Sequence, residues 1–509
     1  MAETRYIFIT QSEGVSHVRG VMASSIAMLL QSCGYSVAVM KLNVCLNTDT
    51  DGQSEIFVTA DGCETDIELG RYERFTGIET SSANIVTAGK VYQNVINRER
   101  RGDYQGDCVR VVPHVTDEIK RNVCALSNSA KSDFLVVELG GVAGELDTLP
   151  FVEALRQLKN ELEQSCAWMH VTHIDNMQMQ GIQPDVMILQ AEQELLPEER
   201  ETVAMQCGVD ENYVFQPCGE AIIYEMPLLL KDVAEVVQRK VGVDEIRFPQ
   251  LAEWNDLVQR INEATENVTI GIVGTGIDKE DVYCSLKESL QCVAAHQDRK
   301  LNVCYVEATF IHDGNVEEML GELDGVIIAP DGKQGFEGKI VATKWCREHD
   351  MITLGIAEGM HCMAIEYARN VLGIQEANST EIDARTPHNI IDMMMEKKNR
   401  ANMWGAKRVG VYSCNLIENT TIGQAYGLVK IKERHCHSFE LNNSYCDAFE
   451  QLGMICAGVN TESGLIESIE SRDNTWYVGV QFRPEFAGTA LNPNPLLMDF
   501  VKEIKTRKK

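Results

Sequence analysis

The sequence lacks long apolar runs, closely spaced cysteine pairs and an excess of basic residues. No run approaches the roughly 18 apolar residues that a membrane span needs, so we expect no membrane partner. Its 17 cysteines are scattered and none forms a CxxC pair, which favours reduced thiols in the cytoplasm. Lys and Arg total 46 against 76 Asp and Glu, a formal charge of −30. Such a surface repels phosphate backbones, so nucleic acid is not expected as a partner.

The N-terminal stretch has the pattern strand, loop, helix that opens many nucleotide-binding domains. In such domains the loop amides and the helix N-terminus surround phosphate groups. Here the loop, residues 11–20, has only Gly14 and Gly20 as glycines, and Glu13 adds a negative charge. It contains no lysine, and Arg19 is its one cation. The scaffold of a nucleotide site is therefore predicted, with few of the groups that bind phosphate.

Apolar strands alternate with helices along most of the chain, which predicts parallel, doubly wound sheets. The pattern becomes polar and helical near residue 241, and a second α/β pattern begins near residue 268. We therefore predict an N-terminal domain over residues 1–240, a linker over 241–267 and a C-terminal domain over 268–509.

Seven segments, in order along the chain, resemble the CTP synthase family. They read DIELGRYERF (66–75), NRERRGDYQGDCVRVVPHVTDEIK (97–120), VELGG (137–141), GIQPDVMI (181–188), EANSTEID (376–383), RHCHSFELNN (434–443) and QFRPEF (481–486). The resemblance implies a P-loop-like amidoligase domain followed by a class I glutamine amidotransferase domain of flavodoxin-like α/β fold. It further implies an enzyme that phosphorylates UTP with ATP and Mg²⁺, and then displaces the phosphate with ammonia released from glutamine. Members of the family assemble as tetramers, and several stack these into filaments.

The glutaminase positions that the resemblance implies have lost their reactive groups. Glutamine hydrolysis needs a thiolate nucleophile, a histidine base and an acid that orients the base. The nucleophile position holds Ala357, which has no lone pair, and the base position holds Arg483, which stays protonated near neutral pH. Only the acid remains, as Glu485. We therefore expect no catalytic residue at this site and no glutamine hydrolysis.

The synthetase positions are changed less completely. Arg19 and Gly20 stand where the family's phosphate loop carries Lys-Gly, and a cationic UTP-binding loop is missing before residue 181. Glu68 and Glu138 stand at the family's two metal-ligand positions. Two readings stay open for them: they could hold Mg²⁺ through water and so support ATP binding, or they could be structural remnants. We accordingly expect no required cofactor.

Two further features have both an ordinary and a functional interpretation. His435 and His437 share one face of a strand, but a transition metal needs more ligands than two. Trp345 lies on a predicted helix that related eukaryotic enzymes use for stacking tetramers, so we mark it as a candidate assembly residue beside the simpler reading of ordinary packing.

Losses at two separate sites lead to the hypothesis that the chain is an inactive CTP synthase paralogue, not an enzyme. On this hypothesis it forms homotetramers that assemble into cytoplasmic structural filaments, alone or with an active paralogue. Two alternatives stay open. One is a regulatory nucleotide-binding subunit of an active CTP synthase, and the other is a ligase with residual activity dependent on ammonia and ATP.

Overall fold

The computed structural model describes residues 4–13, 15, 20–47, 55–174, 182–191, 194–217, 222–277, 282–393 and 407–507. The chain divides into two compact units. The first unit comprises Met1–Asp51 and Thr65–Val258, and the second comprises Gly52–Glu64 and Gln259–Lys509. Two short strands, β3 (Phe57–Val58) and β4 (Glu64–Thr65), lie where the chain leaves and re-enters the first unit.

The first unit is built on a seven-stranded sheet. Its strands are β1 (Arg5–Gln11), β2 (Val37–Asn43), β5 (Ile85–Thr87), β6 (Phe134–Val142), β7 (Cys166–His173), β8 (Val186–Gln190) and β9 (Val214–Phe215). Its helices are α1 (Val21–Ser32), α2 (Ile67–Thr76), α3 (Ala88–Arg100), α4 (Thr116–Ala130), α5 (Leu149–Leu162), α6 (Pro197–Cys207), α7 (Met226–Leu229) and α8 (Val233–Lys240). Helix α9 (Ala252–Glu263) contains the boundary between the units.

The sheet order in the first unit is β5-β2-β6-β1-β7-β8-β9, and every adjacent pair is parallel. Strands β1 and β2 are buried along almost their whole length, as expected for strands covered by helices on both faces. The predicted parallel, doubly wound sheet is therefore confirmed. Ligands of such sheets bind at the carboxyl ends of the strands, which directs attention to that edge.

The second unit is built on a nine-stranded sheet and a smaller three-stranded one. Its strands are β10 (Glu266–Gly274), β11 (Arg299–Glu307), β12 (Gly325–Ile328), β13 (Thr353–Ile356), β14 (Ala377–Ser379), β15 (His388–Met393), β16 (Arg408–Leu416), β17 (Lys430–His437), β18 (Phe439–Leu441), β19 (Met454–Asn460), β20 (Ile466–Ser471) and β21 (Tyr477–Val480). Its helices are α10 (Cys284–His296), α11 (Val316–Leu320), α12 (Phe336–Glu348), α13 (Glu358–Asn370), α14 (Thr421–Tyr426), α15 (Cys446–Gln451) and α16 (Pro495–Arg507).

The large sheet has the order β11-β10-β12-β13-β21-β20-β19-β16-β17. The half from β11 to β21 is parallel, and the half from β21 to β17 is antiparallel. The turn from β13 into α13 lies in the middle of the parallel half and positions the candidate site of this unit. In the part of the chain that the structure describes, no helix is long and apolar enough to cross a membrane.

Candidate active sites

The candidate site of the first unit lies around the start of α1, where β2 and β6 bring charged residues together. Lys41 in β2 and Glu138 in β6 are register partners of adjacent parallel strands. Gly20 precedes α1 with a φ of 71°, and a Cβ atom there would lie 2.8 Å from the Cβ of Glu68. Only glycine therefore allows the chain to pass this close to the acidic side chain.

A buried lysine pairs with two acids at this site. The Nζ atom of Lys41 lies 2.6 Å from Oε1 of Glu68 and 3.3 Å from Oδ2 of Asp66. Burial by itself would raise the pKa of Glu68, but the adjacent Lys41 ammonium outweighs it and holds that pKa below its usual value. Burial would likewise lower the pKa of Lys41, and the surrounding carboxylates raise it instead. Both side chains are thus held in their charged forms.

Glu138 is held by neutral donors. The backbone N–H of Gly20 donates to its Oε1 atom over 3.0 Å, and the Tyr72 hydroxyl donates to its Oε2 atom. Burial raises the pKa of Glu138 despite the opposing effect of Lys41. Tyr72 itself is fully buried on α2. The pairing of Lys41 with Asp66 and the contact of Tyr72 with Glu138 were not predicted from the sequence.

The residues of this site do not present an open place for a divalent metal. Lys41 occupies the space between the acids, and both oxygens of Glu138 accept hydrogen bonds. Across the described ranges, no group of three or more His, Cys, Asp or Glu side chains is placed to hold a metal ion. The metal-binding role of Glu68 and Glu138 therefore stays a prediction, and we derive no step through a metal.

Two parts of the predicted nucleotide site fall outside the described residues. These are Arg19 in the phosphate loop and residues 175–181, where the UTP-binding loop of the family was found missing. Gly20, which the prediction grouped with Arg19, directs its amide at a carboxylate in this structure and not at an open anion site.

The candidate site of the second unit surrounds the turn between β13 and α13. Ala357 occupies this turn with φ 48° and ψ −105°, a strained backbone conformation for any residue with a Cβ atom. A Cβ atom at Gly359 would lie 2.2 Å from the carbonyl oxygen of Ile328, so the start of α13 packs directly on β12. The strained turn that presents a nucleophile is therefore present, although its side chain is a methyl group.

Arg483 lies nearby and is enclosed by acids and an aromatic ring. Its Nε atom donates to Glu485, its Nη2 atom lies 3.3 Å from Oε1 of Glu55, and its Cζ atom lies 4.3 Å from the ring centre of Phe486. The second oxygen of Glu55 accepts the N–H of Ser285 at the start of α10. Arg483 and Glu485, which the sequence placed in one site, are thus in direct contact. The guanidinium group of Arg483 stays protonated and cannot accept a proton.

A buried lysine also organises the acids opposite Ala357. Lys339 on α12 is fully buried, pairs with Asp331 and lies 3.1 Å from Oε1 of Glu358. Burial raises the pKa of Glu358 to about 7, although Lys339 opposes this effect. The sequence did not lead us to assign Lys339 or Glu358 to this site. The signal that was available is Glu358 itself, an acidic residue directly after Ala357.

Some of these residues line a cavity of about 910 Å³ in the second unit. Its wall includes Ala357, Glu358, His361 and Arg483. Glu55 and Ile56, from the segment Gly52–Glu64 of the same unit, complete this part of the wall. A cavity of this size accommodates a small molecule. The strained turn therefore borders a cavity large enough for a small-molecule ligand.

His435 and His437 do not form a metal site in the described structure. Nδ1 of His435 lies 2.8 Å from Nε2 of His437, so the two rings bond to each other inside β17. Trp345 is only 9% exposed and stacks on His349 with ring centres 4.5 Å apart. Its assembly role stays a prediction, and its burial leaves little surface for another subunit.

Comparisons with known proteins now bear on both units. A family model described as CTP synthase N-terminus matches residues 5–243, and one described as Glutamine amidotransferase class-I matches residues 280–503. A CTP synthase of Porphyromonas gingivalis is 44% identical, with alignment of 100% of this chain and 99% of that protein. The chain belongs to the CTP synthase family. CTP synthases of Bacteroides fragilis and Carboxydothermus hydrogenoformans are 43% and 37% identical, each over 99% of both chains.

Family membership confirms the predicted fold, with an amidoligase domain followed by a class I glutamine amidotransferase domain. It also shows that the functional hypothesis from the sequence is wrong. Proteins similar over the full length are CTP synthases, which are enzymes, and both catalytic domains are present. An inactive structural protein, a filament-only role and a non-catalytic subunit are therefore not supported. The hypothesis rested on changed residues at both sites, and similarity to CTP synthases over the full length overturns it.

Proposed function

We propose that this CTP synthase homologue is an ATP-dependent amidoligase that forms CTP from UTP with free ammonia as the nitrogen donor. The observation that carries the proposal is the buried cluster of Lys41, Asp66, Glu68 and Glu138 beside the start of α1. Buried charges are costly, and clusters of perturbed groups at the carboxyl edge of a doubly wound sheet are typical of active sites. Similarity to CTP synthases over the full chain supports the same activity.

The proposed reaction has two steps. The 4-oxygen of the uracil ring attacks the γ-phosphorus of ATP while N3 of the ring gives up its proton to solvent, and the bond to the bridging oxygen breaks to release ADP. Ammonia then attacks carbon 4, and the C–O bond breaks to release inorganic phosphate while the attacking nitrogen loses one proton and becomes the amino group. Lys41 would offset negative charge as the phosphoryl group moves, and Gly20 would fix the approach of α1.

The choice of free ammonia follows from the second unit. Ala357 has no lone pair to attack the amide of glutamine, and Arg483 is bound to two carboxylates and cannot act as a base. The synthetase step needs ammonia but not its source, so the loss of the glutaminase groups leaves that step chemically possible.

The test is CTP formation by the purified chain from UTP, ATP and magnesium, with ammonium chloride as nitrogen source. We expect CTP and an equal amount of phosphate. Glu138→Gln removes the carboxylate that lies beside Lys41 on the adjacent strand, and should lower kcat by about 100-fold or more. The matched control is Glu161→Gln, since Glu161 is an exposed acid of the same unit that pairs with Lys120. Absence of CTP at saturating ammonium, with folded protein, would refute the proposal.

Two further assignments go with this function. We propose a cytoplasmic location, supported by the scattered cysteines without CxxC pairs. Assembly as a homotetramer, with or without an active paralogue, also remains a proposal. Light scattering of the pure chain would test assembly as a homotetramer. Co-purification with an active CTP synthase would test assembly with a paralogue.

A further inference from the structure

The cavity of the second unit has an unusual balance of charge for a site that would hold an amino acid. Five carboxylate side chains and two permanently basic ones line its described wall. The acids are Glu55, Glu307, Asp331, Glu358 and Glu381. They come from separate elements of the unit and surround one space of about 910 Å³. A charged ligand can pair with those side chains whose charge is not already compensated by a neighbouring residue.

Both basic side chains of the described wall are already bound to acids. Lys407 lies 2.7 Å from Oε1 of Glu64, and Arg483 is bound to Glu485 and Glu55. His361 adds no positive charge near neutral pH, because burial lowers its pKa to about 4. Its Nε2 atom lies 2.9 Å from Oε1 of Gln481. A ligand carboxylate would thus meet no uncommitted cation on this wall.

Within the described ranges, several acids of the wall have no cation of their own. Among the described residues, Glu307 accepts hydrogen bonds only from neutral groups: the N–H of Gly276 over 3.1 Å, and the N–H and hydroxyl of Thr309. Asp331 and Glu358 share the single charge of Lys339. Burial raises the pKa of Glu381, with only a partial offset from Lys333. A positively charged ligand would relieve this imbalance.

The rest of the wall suits the hydrocarbon part of such a ligand. Tyr283 and Phe439 present aromatic surface, and Ile56 and Val282 present aliphatic surface. Aromatic rings attract alkylammonium groups by cation–π interaction. The methyl group of Ala357 also leaves more room than a larger nucleophilic side chain would.

From these contacts we infer that the cavity binds a small primary ammonium ion in preference to an amino acid zwitterion. The head group could belong to the ammonium ion or to an organic amine such as a diamine. The ammonium group is placed among Glu307, Glu358 and Glu381, and any carbon chain lies against Tyr283 and Phe439. The inference extends the proposed use of ammonia, but it concerns binding by the second unit alone and can fail or succeed separately.

The test is ligand binding to the full chain, without UTP or ATP, by calorimetry or ligand-observed NMR. The probes are 1,4-diaminobutane, methylammonium chloride, ammonium chloride and glutamine, each measured against potassium chloride at equal ionic strength. We expect saturable binding of at least one amine and tighter binding of that amine than of glutamine. Binding of the diamine but not of ammonium assigns the site to an organic amine. Binding of all three cations assigns it to the shared head group.

Variants give an independent check. At about pH 8, above the pKa of about 7 that burial gives Glu358, Glu381→Gln and Glu358→Gln should each weaken amine binding by about tenfold, because each removes one charge-assisted contact. Glu348→Gln is the matched control, since Glu348 is a partly exposed acid on α12 that pairs with Arg347, and it should leave binding unchanged. Equal heats for amines and potassium chloride, tighter binding of glutamine, or unchanged binding in both variants would overturn the inference. The comparison of probes on the unaltered chain decides the matter if a variant does not fold.

Discussion

The Nζ atom of Lys41 lies 2.6 Å from Oε1 of Glu68, and both side chains are only 6% exposed. The pair is closed off by Asp66 on one side and by Glu138 in the adjacent strand on the other. A buried pair of this kind contributes little net stability compared with apolar residues, but removal of one partner leaves a charge without compensation. Substitution of a single charged residue in this cluster should therefore destabilise the first unit.

Lys41→Met should destabilise the chain by about 3–5 kcal/mol, because Glu68 and Asp66 would then be buried without their cation. Chemical unfolding monitored by circular dichroism measures this change. Lys120→Met is the control, since Lys120 pairs with the exposed Glu161 and its loss should cost about 1 kcal/mol or less. Equal effects of the two substitutions would contradict the description of the cluster.

Ala357→Gly should stabilise the second unit by about 1 kcal/mol. The φ of 48° at Ala357 strains any residue that has a Cβ atom, whereas glycine adopts it at little cost. Ala364→Gly, within α13, is the control and should destabilise by about 1 kcal/mol or more, because glycine loses more backbone freedom on folding and the buried methyl group of Ala364 is lost. Thermal unfolding of both variants measures the difference, and a lower melting temperature for Ala357→Gly would show that the turn is not strained.

Ala357→Cys alone should not restore glutamine hydrolysis. The thiol would stand at the turn, but Arg483 would still offer no base to activate it. The double substitution Ala357→Cys with Arg483→His should produce measurable glutamate release, since Glu485 is in place to orient the new imidazole. Glutamate assays on the two variants check this. Equal activity of the single and the double variant would refute the assigned role of Arg483.

The contribution of Glu358 to the stability of the second unit should fall as the pH rises from about 5 to about 7. Glu358 keeps its proton in the folded chain up to about pH 7, whereas in the unfolded chain it loses the proton near 4.5. In this interval the folded state binds more protons at Glu358, so raising the pH favours unfolding through this group. His361 acts in the opposite direction below about pH 6.5, because burial lowers its pKa to about 4 in the folded chain. The groups that face Glu358 are Lys339, Asp331, Glu381 and the amide of Gly332.

Melting temperatures of the unaltered chain and of Glu358→Gln across this pH range test the assignment. The melting temperature of the variant relative to the unaltered chain should rise as the pH rises, and the pH dependence that the two share comes from other groups such as Glu433 and His361. An unchanged slope in Glu358→Gln would show that Glu358 does not titrate in this range.

The sequence predicted features that depend on local pattern. Apolar runs such as residues 134–139 predicted buried parallel strands, and the position of Ala357 between β13 and α13 followed from the motif. It did not predict pairings between distant residues. Arg483 and Glu55 are 428 positions apart, and no periodicity relates them.

The functional error has a physical cause as well. The hypothesis rested on changed residues at both sites, and a list of changed positions does not show which of the remaining charged residues meet in the folded chain. Lys41 was visible in the sequence, but its partnership with Glu68 depends on the register of β2 and on the start of α2. The same limit applied to Lys339, whose charge meets Asp331 and Glu358 only in the folded unit.

The most direct test of the proposed function follows the origin of the nitrogen atom in CTP. The pure chain is supplied with UTP, ATP, magnesium, ¹⁵N-labelled ammonium and unlabelled glutamine, and the product is analysed by mass spectrometry. The account predicts that the new amino group carries ¹⁵N in every CTP molecule formed. Unlabelled CTP would show that the chain hydrolyses glutamine without a thiol at position 357, and absence of CTP would contradict the proposed amidoligase activity itself.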